Sequence, residues 1–105
     1  MRSKYTLSIY PRAQADLDDI LRYISEELCN PSAANDLIDK MEHSLDLVCQ
    51  EPDMCPLVNS SLIKDKTLRK LVVKNYIIFY RPVDSNKEIQ VVRVLFGMMD
   101  YENIL

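Results

Sequence analysis

Hydrophobic positions change their spacing along the chain, and the changes predict its elements. Residues 5–10 alternate between apolar and polar, which predicts a strand with Leu7 and Ile9 on its buried face. From Arg12 the apolar residues recur every three or four positions, which is typical of an amphipathic helix. A break at 30–32 precedes a second stripe with the same period. Two helices joined by so short a break pack antiparallel as a helical hairpin. The two stripes consist of Ala13, Leu17, Ile20, Leu21, Ile24 and Leu28, then Ala34, Leu37, Ile38, Met41, Leu45 and Val48.

Turn-forming residues mark the boundaries between these elements. Pro11 ends the first strand and is suited to the start of a helix. Ser32 is the predicted N-cap of the second helix. Pro52 and Pro56 end that helix, and residues 52–63 are predicted to form a crossing loop within one domain.

The second half of the chain predicts three strands. The strand-like runs cover 68–73, 76–80 and 88–96, with turns at 74–75 and 82–87. The last run is apolar on both sides apart from Arg93, which indicates a central strand. Strict alternation places Ile89, Val91, Arg93 and Leu95 on one face, and Val92, Val94 and Phe96 on the other. Residues 100–105 are predicted as a short helix or tail.

The resulting order, β-α-α-β-β-β, predicts an α+β fold. A helical hairpin packs on one face of a four-stranded, mainly antiparallel sheet, and residues 1–105 form one domain. A charged residue at the centre of a buried strand is either paired or functional. For Arg93, pairing with a carboxylate of the hairpin is therefore one of two hypotheses.

Composition narrows the class of protein. The chain has 105 residues, a net charge of -3 and three cysteines spaced too irregularly for a disulfide framework or a CxxC pair. With a single His43, a metal site is not expected, and no motif indicates a small-molecule cofactor. We find neither a membrane-spanning run nor a secretory signal, so we expect a reduced, cytoplasmic protein without a membrane partner.

Charge is unevenly distributed between the halves. Residues 11–53 hold three basic and eleven acidic residues, whereas residues 54–97 hold eight basic and three acidic ones. Such a split indicates either that one face meets an anion or that the halves neutralise each other. An acidic chain does not coat nucleic acid through net charge.

With this order of elements, several stretches resemble the RelE/ParE superfamily of toxins from type II toxin–antitoxin systems. Residues 68–71, 75–83 and 89–97, followed by Asp100, look like the ending "R-x-L … Y-x-I-x-Y-R-V … I-x-V-x-R-V-x-x-G-x-x-D" of that superfamily. Residues 10–20 are similar to the end of its first strand and the start of its first helix. The resemblance implies a growth-inhibiting toxin that a cognate antitoxin neutralises.

Two targets are open within that superfamily. RelE-like members cleave messenger RNA on the ribosome, and ParE-like members poison DNA gyrase. If the chain is a nuclease, the resemblance implies Arg69, Lys70, Lys74, Arg81 and Tyr101 as catalytic candidates. As a toxin that binds its target, its candidates are Arg69, Lys74, Arg81 and Arg93. A decayed member that serves as an antitoxin-binding co-repressor is the third hypothesis.

The sequence favours the ParE-like branch. After Gly97, where many relatives have two basic residues, this chain has Met98 and Met99. Losing cations near the scissile phosphate removes a large electrostatic stabilisation of RNA cleavage. We expect Arg69, Lys74 and Arg81 to gather on one exposed surface of the sheet. An acidic antitoxin segment is expected to cover that side and to bury Tyr76, Ile78 and Tyr80 there, unless these three face the helices.

Overall fold

Two prolines determine where the helices begin. The computed structural model describes residues 4–98 and 104–105. Helix α1 spans Pro11–Arg22 and helix α2 spans Pro31–Gln50, each with proline in its first turn, where a missing N–H breaks no intrahelical hydrogen bond. Asn30, not Ser32, caps α2, because its side chain accepts a hydrogen bond from the Ala33 N–H at 3.1 Å.

The first helix is not uniform over its predicted length. A π-helical turn, Tyr23–Glu27, follows α1, and Cys29 then adopts a left-handed conformation with φ 49°. This residue reverses the chain ahead of α2, as the predicted hairpin requires. Over residues 4–98, neither helix combines the length and the hydropathy of a membrane-spanning segment.

The four strands form one mixed sheet in the order β1-β4-β3-β2. They span Thr6–Ile9 (β1), Arg69–Val73 (β2), Tyr76–Val83 (β3) and Glu88–Phe96 (β4). Strand β1 pairs with β4 in parallel, and the other two pairings are antiparallel. The predicted α+β class and the internal position of the last strand are therefore confirmed.

A β-bulge changes which side chains of β4 share a face. Tyr80 pairs with Val91 and Phe79 pairs with Arg93, so Val92 has no partner across the pair. An extra residue shifts the alternation of the strand. Val91 and Val94 consequently join the same core, whereas strict alternation wrongly placed them on opposite faces.

The two faces of the sheet are covered differently. The helices cover one face, and its core includes Leu71, Ile78 and Tyr80, with Tyr76 packed against it. Over the other face runs a segment without helix or strand, residues 52–68, which we call the strap. The expectation that Tyr76, Ile78 and Tyr80 face an antitoxin is thus wrong, and the alternative that they face the helices is correct. The strap contributes Val58, Ile63 and Leu68 to a second core with Ile77, Phe79 and Leu95.

Candidate functional site

Arg69, the first residue of β2, points to the helix-covered face. It pairs with Tyr80 across the sheet, and directly paired residues share a face. Its guanidinium Nη1 donates a hydrogen bond to the Cys55 carbonyl oxygen at 2.6 Å, and Nη2 lies 3.4 Å from Asp53 Oδ1. Arg69 therefore anchors the beginning of the strap to the sheet.

Arg81 lies on the opposite face of the sheet. Its Nε donates to Gln90 Oε1 at 2.8 Å and its Nη1 donates to Asp65 Oδ2 at 2.9 Å. Its guanidinium carbon also lies 5.8 Å from the centre of the Tyr10 ring. Partial burial acts to raise the pKa of Asp65, but hydrogen bonds from Thr67 and Arg81 outweigh it and lower that pKa. Arg81 thus connects the strap to the face of the sheet that the strap covers.

Arg93 forms the most buried ion pair in the described residues. Its Nε and Nη2 donate to the two carboxylate oxygens of Asp16 at 2.7 and 3.1 Å. The side chains of Arg93 and Asp16 are 15% and 13% exposed. Asp16 also accepts a hydrogen bond from the Val94 N–H at 3.1 Å, where β4 extends beyond the end of β1. The hypothesis that Arg93 pairs with a hairpin carboxylate is confirmed.

The remaining candidates are more exposed or lie outside the description. Lys74 occupies the β2–β3 turn with φ 54°, and its Nζ lies 2.8 Å from Asp36 Oδ2. Hydrogen bonds from Lys74 and Lys40 lower the pKa of Asp36. Lys70 is half-buried on the strap side of β2 and has no ion-pair partner in the described part of the chain. Tyr101 lies outside the described residues.

The structure brings only part of the predicted set together. Of the predicted residues, Arg81 and Arg93 line a cleft of about 550 Å³ beside the strap, which we call the strap cleft. Lys64, which was not among the predicted residues, lines it as well. Arg69 points to the other face, and Lys74 reaches α2 at the end of the sheet. The predicted single surface formed by Arg69, Lys74 and Arg81 is therefore wrong. Their roles in target binding stay a prediction.

A larger cleft was not anticipated from the sequence. It has a volume of about 810 Å³ and opens between α1 and α2 above β1. We call it the β1 cleft. Leu7 and Ile9 line it and are 43% and 36% exposed, although the alternation of residues 5–10 predicted that they are buried. The alternation correctly predicts that Leu7 and Ile9 face the helices. It does not predict that the helices leave this part of the sheet uncovered.

Comparisons with known proteins agree on one superfamily. The sequence model described as the ParE toxin of the type II toxin–antitoxin system parDE matches residues 7–101. The fold is similar to a chain of the chromosomal ParDE system of P. aeruginosa, with TM-score 0.69, 21% identity, and coverage of 89% of this chain and 96% of that one.

Two further solved structures show the same fold. A chain of the RelBE2 toxin–antitoxin complex of Mycobacterium tuberculosis has TM-score 0.63 and 17% identity, over 90% of this chain and 99% of that one. A doubly arginine-to-alanine-substituted E. coli toxin RelE in the free state has TM-score 0.63 and 14% identity, over 97% and 93%. No curated protein sequence matches significantly. The family match over residues 7–101 nevertheless shows that this chain belongs to the ParE toxin family of type II toxin–antitoxin systems, within the RelE/ParE superfamily.

Proposed function

We propose that this toxin inhibits growth by binding DNA gyrase, that it does not cleave messenger RNA, and that a cognate antitoxin neutralises it. On this proposal the arginines of the strap cleft, Arg81 and Arg93, contact the target. The family match to ParE toxins supports the choice of gyrase.

The main support for the proposal is that Arg81 and Arg93 each form an ion pair with a carboxylate of this chain. Attack of an RNA 2′-hydroxyl on the neighbouring phosphate needs cations placed where negative charge develops. In the strap cleft, Arg81 is held by Asp65 and Arg93 by Asp16. Each carboxylate neutralises the guanidinium that a scissile phosphate would need. Paired charges of this kind suit recognition of a protein surface, where they fix orientation and select the partner.

The chain after β4 supports the same conclusion. Phe96 and Met98 are 39% and 85% exposed on either side of Gly97. Met98 stands at the first of the two positions after Gly97 where many relatives carry basic residues. Aromatic and methionine side chains are enriched in protein interfaces, whereas lysine is depleted. The end of β4 thus has the composition of a protein-binding surface more than that of a phosphate site.

The test follows DNA and messenger RNA in the same cells. We expect expression in bacteria without the antitoxin to stop growth, with filamentation and induction of the DNA-damage response. Purified toxin with gyrase, ATP and plasmid should accumulate linear DNA. Codon-specific cleavage of messenger RNA on translating ribosomes, with intact DNA, would overturn the proposal. Harmless expression with retained antitoxin binding would support the co-repressor hypothesis instead.

A pair of variants connects the effect to the strap cleft. Arg81→Gln should reduce the yield of linear DNA roughly tenfold, because it removes one charge from the proposed contact. Lys87→Gln is the matched control, since Lys87 lies in the exposed β3–β4 turn outside the cleft. Equal poisoning by both variants would contradict the assignment of Arg81 to the target contact. Thermal unfolding of both verifies that the fold is kept.

A further inference from the structure

The β-bulge of β4 directs two consecutive side chains to the strap cleft. In a regular strand, neighbouring side chains lie on opposite faces of the sheet. Val92 is the extra residue of the bulge, and both Val92 and Arg93 line the cleft. Bulges are over-represented beside functional sites because they redirect a side chain in this way. The bulge therefore adds a half-buried apolar residue to the face that holds the paired arginines.

The strap contributes one apolar and one cationic side chain to the same cleft. Leu62 is 64% exposed, Lys64 is exposed as well, and both line the cleft. Between them, Ile63 is buried in the second core. The Ser60 hydroxyl oxygen accepts a hydrogen bond from the Leu62 N–H at 3.2 Å. Leu62 and Lys64 are thus positioned at the cleft by a buried neighbour and a preceding turn.

The charge of the cleft depends on Lys64. The two arginines are each paired with a carboxylate, whereas Lys64 has no hydrogen-bond or ion-pair partner in the parts of the chain that the structure describes. Lys66, two residues along, does not line the cleft, and its Nζ donates to the Ser60 carbonyl oxygen at 2.9 Å. Among the described residues, the cleft thus presents one free ammonium group beside two ion pairs.

The surroundings of Lys64 indicate a protein side chain as its partner. A nucleic-acid backbone presents a row of phosphates and is bound by several cations, but one free ammonium group matches one carboxylate. The exposed Leu62 and the half-buried Val92 of the same cleft suit an apolar side chain next to that carboxylate. A charged contact at the edge of an apolar surface speeds association and fixes the orientation of the partner.

We infer that the strap cleft binds an acidic segment of gyrase, in which an Asp or Glu carboxylate contacts Lys64 and an adjoining apolar side chain packs on Leu62 and Val92. This inference rests on the proposed function for the identity of the target. It adds to that function the residue that attracts the target, since Lys64 is not among the candidates that the sequence indicated.

The first experiment measures the affinity of purified toxin variants for intact gyrase at low and at high salt. Lys64→Glu should weaken binding at least about tenfold at low salt and reduce its salt dependence, because it turns an attraction into a repulsion. Lys66→Glu makes the same change of charge outside the cleft, and it should weaken binding by less than about threefold.

A second pair of variants tests the apolar part of the contact. Leu62→Ser should weaken binding about fivefold and leave its salt dependence unchanged, because it removes buried apolar area and no charge. Val72→Ser is the matched control, since Val72 is 63% exposed and lies on β2 outside the cleft. It should change binding by less than about twofold.

A cross-link tests the contact between Lys64 and a carboxylate directly. A carbodiimide joins an ammonium group to a carboxylate where the two are in contact. Treatment of the wild-type complex should give an amide between Lys64 and an Asp or Glu of gyrase, identified by mass spectrometry of the peptides. Lys64→Arg keeps the positive charge and should keep most of the affinity. It should lose this cross-link, because a guanidinium group does not form the amide.

The outcomes separate the inference from the proposed function. If the wild-type toxin binds gyrase and Lys64→Glu weakens binding no more than Lys66→Glu, the inference alone is overturned. A Lys64 cross-link to a second copy of the toxin, with none to gyrase, would also overturn it and assign the cleft to self-association. If the wild-type toxin does not bind gyrase, the proposed function fails and the inference fails with it. Should Lys64→Glu unfold on thermal analysis, the cross-link of the wild-type complex decides.

Discussion

The two faces of the sheet are covered in opposite ways. Two regular helices cover one face and leave a cleft of about 810 Å³ above β1. The irregular strap covers the other and buries Ile77, Phe79 and Leu95, the last of these 5% exposed. Regular secondary structure is therefore not what closes a face of this sheet.

Anchoring explains the difference. The strap is attached at several points, because the Tyr80 hydroxyl donates to the Pro52 carbonyl oxygen at 3.0 Å and Arg69 binds the Cys55 carbonyl. The Lys70 N–H of β2 donates to the Pro56 carbonyl oxygen of the strap at 3.1 Å. A helix satisfies its own backbone groups and needs fewer such attachments. Because a helix needs few attachments to the sheet, the space beside it can stay open for a partner.

The largest effect is expected from Asp16→Ala, which removes the attachment of α1 to β4. The substitution leaves Arg93 and the Val94 N–H without a partner whose side chain is 13% exposed. Breaking a fully buried ion pair costs about 3–5 kcal/mol, and we expect a loss near the lower end of that range. Urea unfolding should show that loss, with a melting temperature lower by roughly 10 °C or more. The wall of the β1 cleft formed by α1 should loosen with it.

Two companion variants make this result specific. Asp16→Asn keeps an acceptor for the Val94 N–H but loses the charge, so its loss of stability should be smaller. Asp18→Ala removes an exposed carboxylate of the same helix, and it should change stability by no more than about 0.5 kcal/mol. Equal effects of Asp16→Ala and Asp18→Ala would show that the ion pair does not hold α1.

The next largest effect on stability is expected from a leucine of the closed face, and an alanine substitution on each face compares the two. Leu68 of the strap is 4% exposed and Leu7 of the β1 cleft is 43% exposed. Leu68→Ala should lower the free energy of unfolding by about 2–4 kcal/mol, because it creates a cavity in the second core. Leu7→Ala should lower it by less than about 1 kcal/mol, because much of its side chain is already in water. Denaturant titration of both variants measures the difference, and equal losses would contradict the contrast between a closed and an open face.

The sequence predicts the elements well because their spacing is a local property. Residues 88–96 were predicted as a central strand and form β4 with the same bounds. The bulge at Val92 was missed, since it depends on the pairing with Phe79 and Tyr80. Alternation within one strand carries no signal for an extra residue.

The site was less predictable for a related reason. Arg69 and Arg81 occur in adjacent strands, and the sequence suggested that they share a surface. They lie on opposite faces, because Arg69 pairs with Tyr80 and Arg81 is the next residue. Register between strands decides this, and it is a tertiary property. The β1 cleft was missed because helix length and period do not specify the angle at which α2 crosses the sheet.

The smallest effect is a pH dependence that tests one attachment of the strap. The pKa of Asp65 is lowered in the folded protein because hydrogen bonds from Thr67 and Arg81 outweigh partial burial. A carboxylate with a lowered folded pKa stabilises the protein above its unfolded pKa of about 3.9, and this contribution is lost as the pH falls through the folded value. Asp65 is 32% exposed, so solvent screening limits the contribution to about 0.5–1 kcal/mol.

The Asp65→Asn variant should therefore be less stable than the wild type at pH 7, and the difference in the free energy of unfolding should shrink below a pH of about 4. The control Asp39→Asn changes an exposed carboxylate without an ion-pair partner in the described part of the chain, and at pH 7 it should change stability by no more than about 0.5 kcal/mol. If the difference for Asp65→Asn stays constant into acid, the ionised carboxylate is not what attaches the strap to Arg81.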